Sequence, residues 1–200
     1  QVCISPNRFY IQEKKKDAFI KAFIERTKKL KIGNGLDKDI QLGPLTTAKR
    51  LSEVETLVET TKKEGAKVLL GGKRPSGFNK GYFYEPTIFD EVKDNFTIMK
   101  EEPFGPLVPM LSFKTFDEVV ERANNNDLGL CSYIYTNSMD QAHKASELME
   151  TGTVAVNTPA VAVAEAPFGG IKQTGYGREG GSSAIKDYLN VKYTHLGLKI

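Results

Sequence analysis

Apolar residues recur at three- and four-residue steps in several stretches of this chain, and short β-rich runs stand between those stretches. From Glu13 to Leu30, the residues Phe19, Ala22, Phe23 and Leu30 share one helical face, and Leu51, Val54 and Val58 do the same in a stretch that stops near Gly65. Phe116, Val119, Val120 and Ala123 form another stripe behind Thr115, with Glu118 three residues on in a capping-box pattern. Residues 139–150 read as a further helix. The runs RFYI, KVLLGG, YFYEPTIF, LVPMLSF, LCSYIYT and GTVAVN read as strands, the third at an edge because Pro86 cannot donate to a ladder. A strand that returns through a helix pairs in parallel with its predecessor. The expected fold is therefore α/β, a mostly parallel sheet with helices on both faces.

Composition fits such a core. Of 200 residues, 40% are hydrophobic and 26% charged, which suits one packed domain or one domain with an appended arm. The net charge of +3 is scattered among acids on the helices, and the run Lys14 to Lys16 reads as a solvated face, so no nucleic-acid partner is expected. No stretch has the length and apolarity of a membrane span and no signal peptide is recognisable, so no membrane partner and a cytoplasmic location are expected. With Cys3 and Cys131 as the cysteines and His143 and His195 as the histidines, neither a disulfide framework nor a metal site is expected.

GYGREG, residues 175–180, matches the glycine pattern of a dinucleotide-binding turn. That turn needs a buried strand before the glycines and a helix after them. KQT precedes here, so the stretch reads as a structural loop. EEPFGP, residues 101–106, is a better ligand clamp, because two prolines and a glycine fix a turn around one carboxylate and one aromatic ring. Such a carboxylate can accept from two ribose hydroxyls while the ring packs on a planar base; the alternative is a turn whose Phe104 enters the core. Cys3 is open in the same way, either an ordinary terminal thiol or a nucleophile activated by turn amides. Cys131 lies in LCSYIYT and reads as buried and inert. Near the C-terminus Leu189, Val191 and Tyr193 alternate with Asn190, Lys192 and Thr194, the pattern of a terminal strand whose open edge recruits another strand.

Taken in order, Gln1-Val2-Cys3, Gly43-Pro44, residues 82–87, Glu101 to Pro106, Val156-Asn157 and Pro167 to Glu179 resemble the aldehyde dehydrogenase superfamily over essentially the whole chain. The closing GREGG, DYLNVKY and LGL are most similar to its succinate-semialdehyde dehydrogenase group. The resemblance implies a Cys3 thiolate that attacks an aldehyde, loses hydride to NAD or NADP from the thiohemiacetal, and leaves a thioester for water to hydrolyse. It also implies that Glu102 holds the nicotinamide ribose, that Phe104 positions the ring, that Phe168 lines the aldehyde pocket, and that the Cys3 amide stabilises the oxyanion.

By the same resemblance, residues 1–183 would form the catalytic domain and 184–200 an oligomerisation arm, giving a homodimer or homotetramer. The nucleotide-binding domain, the general-base glutamate and the oxyanion-hole asparagine would lie before residue 1, so this chain alone would be inactive. Two departures stand out. Ser5 occupies the place where some semialdehyde enzymes carry a second cysteine, and Ala162 and Val163 occupy the part of the substrate site where this group offers a hydroxyl to a substrate carboxylate. Two other readings compete: a non-catalytic assembly module, and a cysteine thioesterase or acyl transferase, which would need a base beside Cys3.

Overall fold

A computed structural model describes residues 1–198 and divides the chain into two compact units, Gln1–Asn126 and the residues from Asp127 onward.

The first unit is built on a four-stranded sheet in the order β1-β4-β3-β2, where β1 is Phe9–Gln12, β2 Lys67–Leu70, β3 Thr87–Asp90 and β4 Leu107–Phe113. β1, β4 and β3 run parallel, and β2 is antiparallel to β3. Successive residues of a strand point to opposite faces, and the two faces have separate cores. Phe89, Leu107 and Leu111 pack with Leu51, Val54, Leu57 and Val58 of α2 (Ala48–Lys63) and with Ile98 and Met99 of α3 (Thr97–Lys100). Ile11, Ile88 and Met110 pack on the other face with Ile20, Phe23 and Ile24 of α1 (Lys16–Thr27). Ile88 and Phe89 are both fully buried, and each side chain of this kind contributes about 1.5–3 kcal/mol. Helices thus cover both faces of a mostly parallel sheet.

α2 follows its expected stripe, begins on the Thr47 hydroxyl, which accepts from the Arg50 amide, and stops before Gly65 at φ +107°. α1 differs in detail. Ile20 is its buried residue, whereas Phe19 is exposed, stacks on Phe23 at 5.7 Å, and Leu30 lies past the helix end. In α4 (Phe116–Asn124) the Thr115 hydroxyl accepts from the Glu118 amide as expected, but the Glu118 carboxylate accepts from the Lys114 amide, one residue outside a reciprocal box.

Two prolines correct the expected strand order. TIFD is not an edge strand; it lies between β4 and β2, and Pro86 precedes its first residue. Pro109 lies inside β4, where pairing with β3 ends at Pro109 and pairing with β1 begins at Met110. The residue without an N–H therefore stands where the ladder passes from one neighbour to the other.

In the second unit, β6 (Cys131–Ile134) and β7 (Thr153–Val156) pair in parallel across α5 (Met139–Leu148), a short βαβ crossover. β5 (Leu128–Gly129) pairs antiparallel with β8 (Ile171–Lys172), an element that the glycine-rich stretch did not suggest. Cys131 is half-buried rather than buried. Residues 184–188 form a 3-10 turn, and residues 189–198 are assigned to no strand, so the expected C-terminal strand has no ladder partner among the described residues. Tyr188, Val191, Tyr193, Leu196 and Leu198 are exposed along it. Among the described residues no helix is long and apolar enough to cross a membrane.

Candidate active site

Cys3 is exposed in a turn closed by the Ser5 amide, which donates to the Val2 carbonyl at 2.9 Å. The turn is anchored on both sides. Before it, the Gln1 side-chain oxygen accepts from the Thr46 amide at 2.8 Å, which ties the thiol segment to the loop after Gly43-Pro44. After it, the Arg8 Nε–H donates to the Met99 carbonyl at 2.8 Å, at the end of the buried α3 turn. The Leu45 amide donates to Tyr82 at the start of YFYEPT.

YFYEPT is in turn joined to EEPFGP. The Thr87 amide donates to the Pro106 carbonyl at 2.8 Å, and the fully buried Thr87 hydroxyl accepts from Gly72 and donates to the Glu85 carbonyl. Within EEPFGP, Phe104 donates to Glu102, Gly105 to Pro103 and Leu107 to Gly105, a run of tight three-residue turns that leaves the backbone little freedom. Glu102 is exposed at the head of this run and Phe104 is half-buried. An exposed carboxylate beside a half-buried ring on a rigid turn fits a ribose diol and a planar base. The expected motifs 1–3, 82–87 and 101–106 are thus joined into one hydrogen-bonded cluster in the first unit, through Leu45 and Thr46 directly after the motif 43–44.

The other expected site residues belong to the second unit. Phe168 is half-buried and pairs with Glu179 through both backbone hydrogen bonds, at 2.7 and 2.8 Å. The loop holding Ala162 and Val163, both exposed, is tied down by the Gly181 amide, which donates to the Ala164 carbonyl. Gly180 has φ +68°, and a Cβ there would lie 2.8 Å from the Ala166 carbonyl oxygen. Arg178 donates to the Gly170 and Gly177 carbonyls, and its amide donates to the Asp187 carboxylate at 2.7 Å. GYGREG is therefore a structural loop whose glycines and arginine brace the Phe168 segment; it has no strand-to-helix geometry.

Sequence reasoning missed Arg8 and Asn157 as individuals. Arg8 was taken into a strand run, and only its partner 91 residues away shows its task. Asn157 adopts φ +55° and binds both backbone groups of Thr136 through its amide, prolonging the β6–β7 pairing by one step. An asparagine directly after a β-branched strand is the signal for such a residue.

A sequence model of the aldehyde dehydrogenase family matches residues 1–194. The chain is 41% identical over 198 residues to the mitochondrial succinate-semialdehyde dehydrogenase of Arabidopsis thaliana, covering 98% of this chain and 37% of that protein. It is 42% identical over 193 residues to the glutarate-semialdehyde dehydrogenase of Pseudomonas putida, covering 96% and 39%. The structure of a Bacillus cereus aldehyde dehydrogenase in complex with NAD+ superimposes with a TM-score of 0.94 at 39% identity, covering all of this chain and 40% of that one. The chain thus spans about two fifths of the length of these relatives. This chain belongs to the aldehyde dehydrogenase family.

Proposed function

We propose that this chain carries the nucleophile and the nicotinamide clamp of an NAD- or NADP-dependent aldehyde dehydrogenase, with Cys3, Glu102 and Phe104 in those roles. The observation that carries the reading is the cluster around Cys3: an exposed thiol in a hydrogen-bonded turn, tied through Gln1 and Arg8 to the same frame that holds Glu102. The relative with NAD+ bound supports the cofactor class. Nicotinamide, when bound, supplies the hydride acceptor.

The Cys3 thiolate adds to the carbonyl carbon of the aldehyde, forming a C–S bond and placing negative charge on oxygen. The Cys3 amide is the donor this chain offers to that oxyanion. Re-formation of the C=O bond expels the aldehydic hydrogen as hydride and leaves an acyl thioester on Cys3. Water then adds to the thioester, the C–S bond breaks, and carboxylate and thiolate are released as the two protons of the water pass to solvent. Glu102 accepts from the ribose hydroxyls and Phe104 sets the ring plane, so both act on position rather than on bonds.

Phe168, Ala162 and Val163 are proposed to contact the aldehyde. The relatives named for succinate and glutarate semialdehyde favour a carboxylated aldehyde as substrate, and succinate semialdehyde is the proposed one. Ala162 and Val163 give its carboxylate no hydroxyl, so another group must receive it. The test is NAD(P)H production by the full-length protein with succinate semialdehyde and with butyraldehyde. Higher kcat/KM for the semialdehyde supports the assignment; a preference for butyraldehyde replaces it with an uncharged aldehyde, and no NAD(P)H from either overturns the dehydrogenase reading.

The exposed apolar residues from Tyr188 to Leu198 are proposed to form an arm that pairs with another copy, giving a homodimer or homotetramer.

A further inference from the structure

We infer that Arg8 is a positioning residue that sets the cofactor clamp at Glu102 relative to the nucleophile at Cys3; this inference rests on the roles proposed for those two residues. The geometry that carries it is a single long-range bond. Five residues after the thiol, the Arg8 Nε–H reaches the Met99 carbonyl at 2.8 Å, and Met99 lies three residues before Glu102.

The carbonyl that Arg8 holds is itself fixed. α3 is only four residues long, but Ile98 and Met99 are buried, and its first turn is bound from the end of α2. The Glu64 carboxylate accepts from the Thr97 amide at 3.0 Å and from the Thr97 hydroxyl at 2.7 Å. Glu101 then leaves the helix in an extended conformation and starts the tight turns of EEPFGP. Arg8 is thus attached to a stationary point, and the residues that can move with it are those between Cys3 and the start of β1.

Arginine suits this task better than lysine, because its planar fork offers donors in fixed directions and retains its charge when partly buried. Burial pulls the guanidinium below its ordinary value, with the nearby Tyr10 and then Glu102 pushing it back up. Loss of the bond to Met99 would leave Cys3 on its own turn, closed by Ser5 and Val2, but would free the nucleophile segment from the clamp.

The experiment uses the full-length protein with Arg8→Met, Arg8→Lys, Glu102→Gln and the Arg8→Met/Glu102→Gln double variant. Three quantities are read: NADH dissociation, the rate of hydride transfer in a single turnover, and cofactor-independent hydrolysis of p-nitrophenyl acetate, which reports the thiol alone. Arg8→Met is expected to lose roughly tenfold or more in hydride transfer, the size of one charge-assisted hydrogen bond, while NADH dissociation and ester hydrolysis stay within about threefold. Arg8→Lys, which keeps the stem and charge without the planar donor, is expected between the parent and Arg8→Met, again with ester hydrolysis unchanged. The double variant is expected to be no worse than Glu102→Gln. Equal loss of ester hydrolysis and hydride transfer in either Arg8 variant, losses that multiply in the double variant, or no loss at all overturns the inference. If Glu102→Gln alone leaves the cofactor untouched, it is the clamp role of Glu102 that fails, and the inference about Arg8 falls with it.

Discussion

Gly105 lies against Val54 so closely that a Cβ on the glycine would stand 2.7 Å from the valine Cγ2. Val54 is on the buried face of α2, and Gly105 is in the middle of the turn that carries Glu102 and Phe104. The glycine of EEPFGP is thus required by a helix that crosses behind it, and the proposed clamp is seated directly on the core.

Gly105→Ala should therefore destabilise the protein by about 1–3 kcal/mol through overpacking, and should weaken NADH binding, because the displaced turn carries the proposed clamp. Adding Val54→Ala removes the methyl groups that the new Cβ meets and should recover part of both losses. Denaturant unfolding and NADH titration of the single and double variants check this. Additive destabilisation in the double variant contradicts it.

Tyr84 gives a pH dependence with a definite sign. Burial, and after it the negative charges of Glu55, Glu59 and Glu85, push its phenol up to about 12. An unfolded tyrosine ionises near pH ~10, so the folded state holds the proton more tightly. The resulting contribution to stability is fully present below pH ~10 and is lost as pH rises through the folded value, about 12. It amounts to about 3 kcal/mol at most. Unfolding free energy measured from pH 9 to 12 should fall, and Tyr84→Phe should flatten part of that fall while changing little at pH 7. An identical slope in the variant contradicts the assignment.

The proposed arm is tested by removing residues 188–200. Asp187 is kept, because its carboxylate accepts from the Arg178 amide and braces the loop below Phe168. In the full-length protein the truncation should yield a smaller species by analytical ultracentrifugation. An unchanged sedimentation coefficient would mean that the arm folds onto its own subunit.

Much of this architecture was legible because periodicity is a local property. α2, α4, α5 and the strands β1, β4, β6 and β7 stand close to where their apolar spacing puts them. What was not legible depends on distance along the chain. α3 has four residues and shows no stripe; it exists because Glu64 binds its first turn and two of its side chains are buried. β5 and β8 are two residues each, and a glycine-rich segment gives no alternation to detect. Pro86 suggested an edge because composition shows that a donor is missing but not where the ladder starts. The motifs of the candidate site were readable as an ordered set, yet their convergence on the Cys3 turn, through Gln1, Thr46, Arg8 and Met99, appears only in three dimensions.

The covalent role proposed for Cys3 is most directly tested by steady-state NAD(P)H formation from succinate semialdehyde by full-length Cys3→Ala beside the parent protein, at matched folding and NADH affinity. Because the thiol is exposed, the substitution should leave thermal unfolding and cofactor binding nearly unchanged. Removal of a covalent nucleophile typically costs several orders of magnitude in turnover. A kcat at least ~1,000-fold below the parent is expected, and a kcat within about tenfold of it would contradict a covalent role for Cys3.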